Sequence, residues 1–173
     1  VKAIPGVIQR HPKARFLLAG EILKEYYTEI QQFVQASNLE KHVIFTGFVK
    51  DYADLPKYYS LADVYVLVSR AEGNLPKTIL EAMSCGKAVV ASDIPQNWEG
   101  AKRGDEMLFV DPYDIDGISG AINKLLDDPE LRQRLGQNAR RTVMEYHTPE
   151  VIAHGMLRVY EEVVADKVKK AVR

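Results

Sequence analysis

The feature that most limits the fold is an apolar strand running straight into a short helix. Ala62-Asp63-Val64-Tyr65-Val66-Leu67-Val68-Ser69 is a nearly unbroken β-branched and aromatic run. Such a run suits a parallel strand covered on both faces rather than an alternating edge strand, so it is expected at the centre of a sheet. Seventeen residues follow it, RAEGNLPKTILEAMSCG from Arg70 to Gly86. Pro76 fits the first helical position, where its missing N–H costs nothing, and Gly86 fits the left-handed residue that ends a helix. The spacing predicts a helix of about ten residues.

Thr78, Ile79, Leu80, Ala82, Met83, Ser84 and Cys85 make that helix apolar or small on every face, so it is expected to be largely buried. Glu81 is the exception. A carboxylate there costs free energy unless it meets donors or solvent, which points it into a cleft. The helix start leaves backbone amides near Lys77, Thr78 and Ile79 unpaired and carries the positive end of the dipole, and Gly73 allows close approach of a ligand. Two readings stay open at this level: an anion site, or the loop and cap that any buried α/β helix needs.

The rest of the chain alternates in the same way. Val1 to Gln9 reads as a helix ending near His11-Pro12, because proline disfavours helical geometry in the residue before it. Arg15 to Gly20 is a short strand. Leu23 to Ala36 carries apolar residues in helical rhythm and should stop near Asn38. His42 to Phe48 is a strand, Asp54 to Ser60 a short helix. Beyond the turn, Lys87 to Ser92 and Met107 to Val110 are strands and Asp114 to Asp127 a helix. Asp128-Pro129-Glu130 and Thr148-Pro149-Glu150 each set a capping side chain before a first-turn proline and an acid, marking two more helix starts. Strands alternating with helices imply parallel βαβ units and right-handed crossovers. The expected fold is α/β: a Rossmann-like, doubly wound, mostly parallel sheet with helices on both faces. Ligands of such sheets lie beyond the carboxyl ends of the strands, so the loops after Gly20, Phe48, Ser69 and Ser92 should share one rim.

Composition removes several function classes. At 173 residues the chain fits one domain with a full core, and 46% apolar with 27% charged residues is ordinary for a soluble protein. A net charge of −1 gives no field favouring nucleic acid or anionic membrane. Cys85 is the sole cysteine, which excludes an internal disulfide and a cysteine-rich metal site and agrees with a reducing compartment.

The run from Glu72 to Gly86, with Thr46-Gly47-Phe48 before it and Ser92-Asp93-Ile94-Pro95 after it, resembles the C-terminal half of retaining GT-B glycosyltransferases, the group often called family 4. The resemblance covers nearly the whole chain. It implies that residues 1–173 form one nucleotide-sugar-binding domain, truncated at its N-terminus, with 149–173 as its C-terminal helix. It implies that Glu72 lies near the donor sugar as the catalytic residue and that Glu81 hydrogen-bonds the ribose. Gly73, Asn74, Leu75, Lys77 and Thr78 would bind the donor, the helix start near Leu75 to Thr78 meeting the diphosphate, and Thr46, Gly47 and Phe48 would meet the base. Relatives usually have seven residues between the two glutamates and this chain has eight, as if Leu75 were inserted; Leu80-Glu81-Ala82-Met83 still fixes the register of Glu81.

The resemblance further implies a nucleotide diphosphate sugar as donor, no cofactor and no metal, a cytoplasmic place, and peripheral membrane contact at most. Relatives also carry an upstream strand, a loop with an arginine and a lysine that neutralise the diphosphate, and an N-terminal Rossmann domain that binds the acceptor. The absent strand would lie between the Phe16 and Val66 strands. The chain is therefore expected to belong to a longer protein and to transfer no sugar alone. The competing readings are a stand-alone nucleotide-binding module and a GT-B enzyme that epimerises a nucleotide sugar.

Other signals have plain structural readings. Asp114-Ile115-Asp116 has the form of a DxD metal site, but acids in a first turn complement the helix dipole without any metal. His11, His42, His147 and His154 show no ligand or triad spacing. Lys77 is either a point charge for a phosphate or a solvated helix start. Trp98, Tyr58 and Tyr59 suit stacking on a sugar or base and core packing equally. Glu99 is the acid of a loop in which relatives often carry paired glycines. Lys167, Lys169, Lys170 and Arg173 suit the end of a helix dipole.

Overall fold

The computed structural model describes residues 1–70, 75–98 and 105–171. Five strands, β1 (Phe16–Ala19), β2 (Val43–Gly47), β3 (Val64–Leu67), β4 (Ala88–Ser92) and β5 (Met107–Val110), alternate with helices α1 (Ile4–Arg10), α2 (Lys24–Ala36), α3 (Leu55–Leu61), α4 (Lys77–Ser84) and α5 (Pro95–Trp98). Three helices close the chain, α6 (Ile115–Asp127), α7 (Pro129–Tyr146) and α8 (Pro149–Ala171). All strand pairs are parallel.

Strand β4 is the spine. All five of its residues are buried, and alternate ones face opposite layers. Val89 and Ala91 pack with Ile79, Ala82 and Met83 of α4 and with Ala139 and Val143 of α7. Ala88 and Val90 pack with Val7 of α1 and with Ile122 and Leu125 of α6. That two-sided cover is the doubly wound arrangement expected. Burying one such aliphatic side chain contributes about 1.5–3 kcal/mol, so β4 and its four helices hold the core.

The sheet differs from expectation in one respect. The strands form a pair, β1-β2, and a triplet, β3-β4-β5, with no hydrogen bonds joining β1 to β3 among the described residues. The run at Val64–Leu67 is therefore at the edge of the triplet, not at its centre, and Val66 is 36% exposed. Its β-branched composition reports cover on its faces, not a partner along its edge. The two sheets are bridged by packing: α1 sends Ile4 to the cluster over the pair and Val7 to that over the triplet, and Phe16 touches both.

Helix ends follow local chemistry. Asn38 takes a left-handed conformation (φ 54°) after α2, with its amide on Gln35 O (3.0 Å) and the Leu39 amide on Val34 O (2.9 Å), a Schellman closure. Leu39 and Val34 then share a core cluster. Gly86 ends α4 in the same way, at φ 68°, with its amide on Met83 O (2.8 Å) and the Lys87 amide on Ala82 O (3.1 Å). Asp114 and Asp128 cap α6 and α7, accepting from the Gly117 and Leu131 amides at 2.8 Å each. Asp114 is thus a capping residue, and its place in a DxD pattern follows from that.

Candidate functional site

Helix α4 is shorter than expected and starts one residue later. Pro76 is its cap, with ψ 132°, and the helix runs eight residues. Ile79, Ala82 and Met83 form its buried stripe, whereas Lys77 and Thr78 are exposed. The expectation of burial on every face therefore fails at the first turn. The Ile79 amide is also not free, because it donates to Pro76 O at 3.0 Å. The amides of Lys77 and Thr78 have no acceptor among the described residues, so the exposed tip of α4 still carries two donors at the positive end of the helix.

Glu81 lies one turn further along α4, on the side facing α3. One carboxylate oxygen accepts from the Tyr52 hydroxyl and the other from the Tyr59 hydroxyl, at 2.7 Å. Tyr59 comes from α3; its ring sits edge-on to Tyr65 of β3 with centroids 5.6 Å apart. Tyr52 comes from a 3-10 turn over Tyr52–Asp54 that Asp51 caps by accepting from the Ala53 amide at 2.9 Å. Burial, then the bond to Glu81, pushes the Tyr59 hydroxyl's pKa well above the usual range. The Tyr52 hydroxyl is raised chiefly by its bond to Glu81. Both tyrosines are thereby kept as donors, one to each oxygen of the Glu81 side chain. The sequence marks Tyr59 only as a ring suited to packing or stacking and gives no local signal for Tyr52.

The strand ends form the expected rim. Ser92, fully buried, accepts from the Ser69 amide at 2.7 Å and donates to Ser69 O at 2.6 Å, which ties the end of β4 to the loop leaving β3. Asn97 of the short helix α5, where only a loop was expected, donates to Ser92 O at 2.9 Å. The Gly20 amide on Gly47 O (3.0 Å) joins the loops after β1 and β2. Thr46 is the extra residue of a bulge between Phe45 and Gly47, and its hydroxyl donates to Gly47 O at 2.9 Å. Gly47 turns at φ 67°, and Phe48 is 69% exposed. Leu75 packs against the α4 cluster. Glu72, Gly73, Asn74 and Glu99 lie outside the described residues.

The remaining candidates are structural. His11 Nε2 lies 3.2 Å from Asp127 Oδ1, and His42 and His154 contact the backbone oxygens of Ala14 and Glu150. Trp98 donates its indole N–H to Asp93 Oδ1 at 2.8 Å. No group of three potential metal ligands occurs among the described residues. A cleft of about 310 Å³ opens at the other end of the sheet, lined by Asp63, Gly86, Lys87 and Arg132. Its cations are committed, Lys87 to Ser60 O at 2.9 Å and Arg132 to Leu125 O at 2.7 Å, each closing a helix C-terminus. No described helix is long and apolar enough to cross a membrane.

Comparison with known proteins identifies the family and the fold. The chain is 31% identical over 167 residues to a phosphatidyl-myo-inositol mannosyltransferase of Mycolicibacterium smegmatis, covering 96% of this chain and 42% of that protein. It is 28% identical to spore coat protein SA of Bacillus subtilis, covering 94% of this chain and 44% of that one. The chain thus spans less than half the length of these relatives. Among solved structures, sucrose-phosphate synthase from Thermosynechococcus elongatus superposes with a TM-score of 0.83 at 29% identity, over 95% of this chain and 42% of that one. Anabaena Alr3699/HepE in complex with UDP shares the fold, with a TM-score of 0.85 at 24% identity over 93% and 44% of the two chains. The C-terminal domain of the group 1 protein LpcC from Francisella tularensis superposes at 0.78 with 25% identity, over 86% and 77%. With the family description "Glycosyl transferases group 1" matching residues 1–142, and with a Rossmann-like α/β layer order of GT-B type, this chain belongs to the glycosyl transferases group 1 family.

Proposed function

We propose that this chain is the donor-binding half of a retaining glycosyltransferase that takes its sugar from a nucleotide diphosphate sugar. The observation that carries the reading is Glu81, an ionisable side chain on a helix that is otherwise apolar inward, with each carboxylate oxygen already holding one hydroxyl. The oxygen held by Tyr59 has capacity for a second donor, the other is held only by the exposed Tyr52, and a vicinal diol such as that of a ribose supplies two donors for them. The Lys77 and Thr78 amides lie about one turn away, suited to the diphosphate. In the reaction the bond between the anomeric carbon and the diphosphate breaks, the acceptor oxygen bonds to the same face and passes its proton to the departing diphosphate, and the remaining charge on that leaving group meets those amides. Glu72 would stand beside the sugar, and no metal is needed. The reading puts the reaction in the cytoplasm.

The open edges of β1 and β3 favour a further element of the same reading. One more strand from a longer protein would pair with both edges and make a continuous sheet, and the loop after it would add cations to the rim beside Lys77. The acceptor would bind on a separate N-terminal domain, so the present chain alone would transfer no sugar. The UDP complexes of structural neighbours favour a nucleotide at this rim.

Titration calorimetry on the intact protein carrying this chain, with UDP, GDP and ADP sugars, tests the reading. One nucleotide class should bind, and Glu81→Ala should weaken it about tenfold or more, the worth of hydrogen bonds to a charged group. Equal affinity in both proteins would remove Glu81 from the ribose role, and no binding of any nucleotide would defeat the donor site.

A further inference from the structure

The two tyrosines on Glu81 are not equivalent, and their difference is informative. Tyr59 is half-buried, projects from a regular helix, and has its ring braced against Tyr65. Its hydroxyl meets a carboxylate whose own helix, α4, is fixed by the Ile79, Ala82 and Met83 stripe. Both ends of that bond are therefore held by packing. Tyr52 is 70% exposed and belongs to a three-residue 3-10 turn with no buried residue. Its hydroxyl sits on the other oxygen of the same carboxylate, from the solvent side of the rim.

We propose that Tyr59 is the positioning residue that orients Glu81 for a ligand diol, and that Tyr52 is a displaceable cap standing where one ligand hydroxyl docks. This rests on the donor-site reading given above. Without Tyr59, a carboxylate on a short helix can rotate about its terminal bonds, and two hydroxyls of fixed spacing would meet it in only a fraction of its orientations. With Tyr59 in place, one lone pair of one oxygen is committed and the carboxylate plane is set before the ligand arrives. The Tyr52 hydroxyl satisfies the outer oxygen in the empty site. It leaves at little cost, because an exposed phenol exchanges a carboxylate for water, whereas the half-buried, ring-braced Tyr59 has less access to a replacement partner. The raised pKa of both hydroxyls fits this arrangement, since each stays protonated and able to donate.

The test is a ribose discrimination ratio, the Kd of the dideoxyribose analogue of UDP divided by the Kd of UDP, measured by calorimetry on the intact protein. GDP and ADP pairs are substituted if UDP does not bind. Glu81→Gln should collapse the ratio toward one. Tyr59→Phe, which keeps the ring, should lower the ratio about five- to tenfold, the worth of one charge-assisted bond in fixing geometry. Its dideoxy analogue affinity should stay near that of the parent, which a general loss of structure would not allow. Tyr52→Phe should raise the ratio about two- to fivefold, with UDP binding tighter by that factor and the dideoxy analogue unchanged, because the competing donor is gone. If Glu81→Gln collapses the ratio while Tyr59→Phe leaves it unchanged, the positioning role is wrong. If Tyr52→Phe weakens UDP and its analogue differently in the sense of Tyr59→Phe, Tyr52 is an anchor and the cap is wrong. A ratio unaffected by Glu81→Gln removes the ribose reading itself, and these roles with it.

Discussion

Gly136 of α7 gives a sharp test of how the core holds α4 in place. A Cβ added there would lie 2.1 Å from Gly86 O and 2.9 Å from Gly86 C, both backbone atoms. Gly86 cannot step aside, because its left-handed turn closes α4 through the Met83 and Ala82 carbonyls. Helix α7 must therefore retreat by about 1 Å, which forfeits a quarter to a half of each dispersion contact it makes. The side chains that lose are Ala139 and Val143, buried against β4 and α4, and Leu135, buried against β4 and α6. Overpacking of this kind costs about 3 kcal/mol, offset by about 1 kcal/mol because alanine is the better helix former. The net for Gly136→Ala is about 2 kcal/mol of lost stability, a fall in Tm of about 4–8 °C for a chain of this size. Gly120 of α6 is the control: nothing lies within 4 Å of its added Cβ and the residue is exposed. Gly120→Ala should raise stability by about 1 kcal/mol, or about 2–4 °C. Calorimetric melts of both variants, with guanidinium unfolding as a second measure, read the two signs. A Gly136→Ala protein as stable as the parent would show that the Gly86 corner yields, and that α7 does not clamp the end of α4.

The other expectations are brief. Asp114→Ala should cost about 1 kcal/mol through loss of the α6 cap, with a chelator making no difference to the parent's melt; a chelator-sensitive melt would favour a metal at that acid instead. Tyr59 carries a pH signature. Its folded hydroxyl titrates above the ordinary value of 10.0, so its contribution is fully present below pH 10 and is lost as pH rises past it. Guanidinium unfolding between pH 9 and 11 should show stability falling less steeply in Tyr59→Phe than in the parent, and identical slopes would contradict the burial of that hydroxyl.

Much of the fold was legible because side chains report faces. The apolar run of β4, the 3.6-residue rhythm of α6, and the Asp-Pro-Glu start of α7 each encode which surface meets the core, and each element appears where its pattern put it. Asn38 and Gly86 end their helices with positive φ, the backbone state those residue types admit most cheaply. The candidate site was legible in part. Glu81 stood out because a carboxylate amid apolar neighbours needs donors, but which donors was hidden: Tyr52 and Tyr59 are 29 and 22 residues away in sequence. A signal existed. A half-buried tyrosine hydroxyl needs an acceptor just as Glu81 needs donors, and two such needs in one small domain are commonly met by each other.

What composition could not encode is the edge of a strand. Neighbours in a sheet are joined through backbone amides and carbonyls, which every residue but proline carries alike, so Val64–Leu67 reads the same whether it has one partner or two. Its expected central place therefore failed on its edge and held only in part on its faces, where Tyr65 and Leu67 meet the α4 cluster and Val64 the α6 cluster while Val66 stays exposed. The composition of the open edges still carries information of another kind. Strands that face solvent along an edge are commonly guarded by lysine, proline or a bulge, and neither Val64–Leu67 nor Phe16–Ala19 contains a charged residue or a proline. Uncharged, proline-free edges on β1 and β3, unpaired to each other among the described residues and bridged beneath by Phe16 and α1, are the feature on which the proposal of one further strand between them rests.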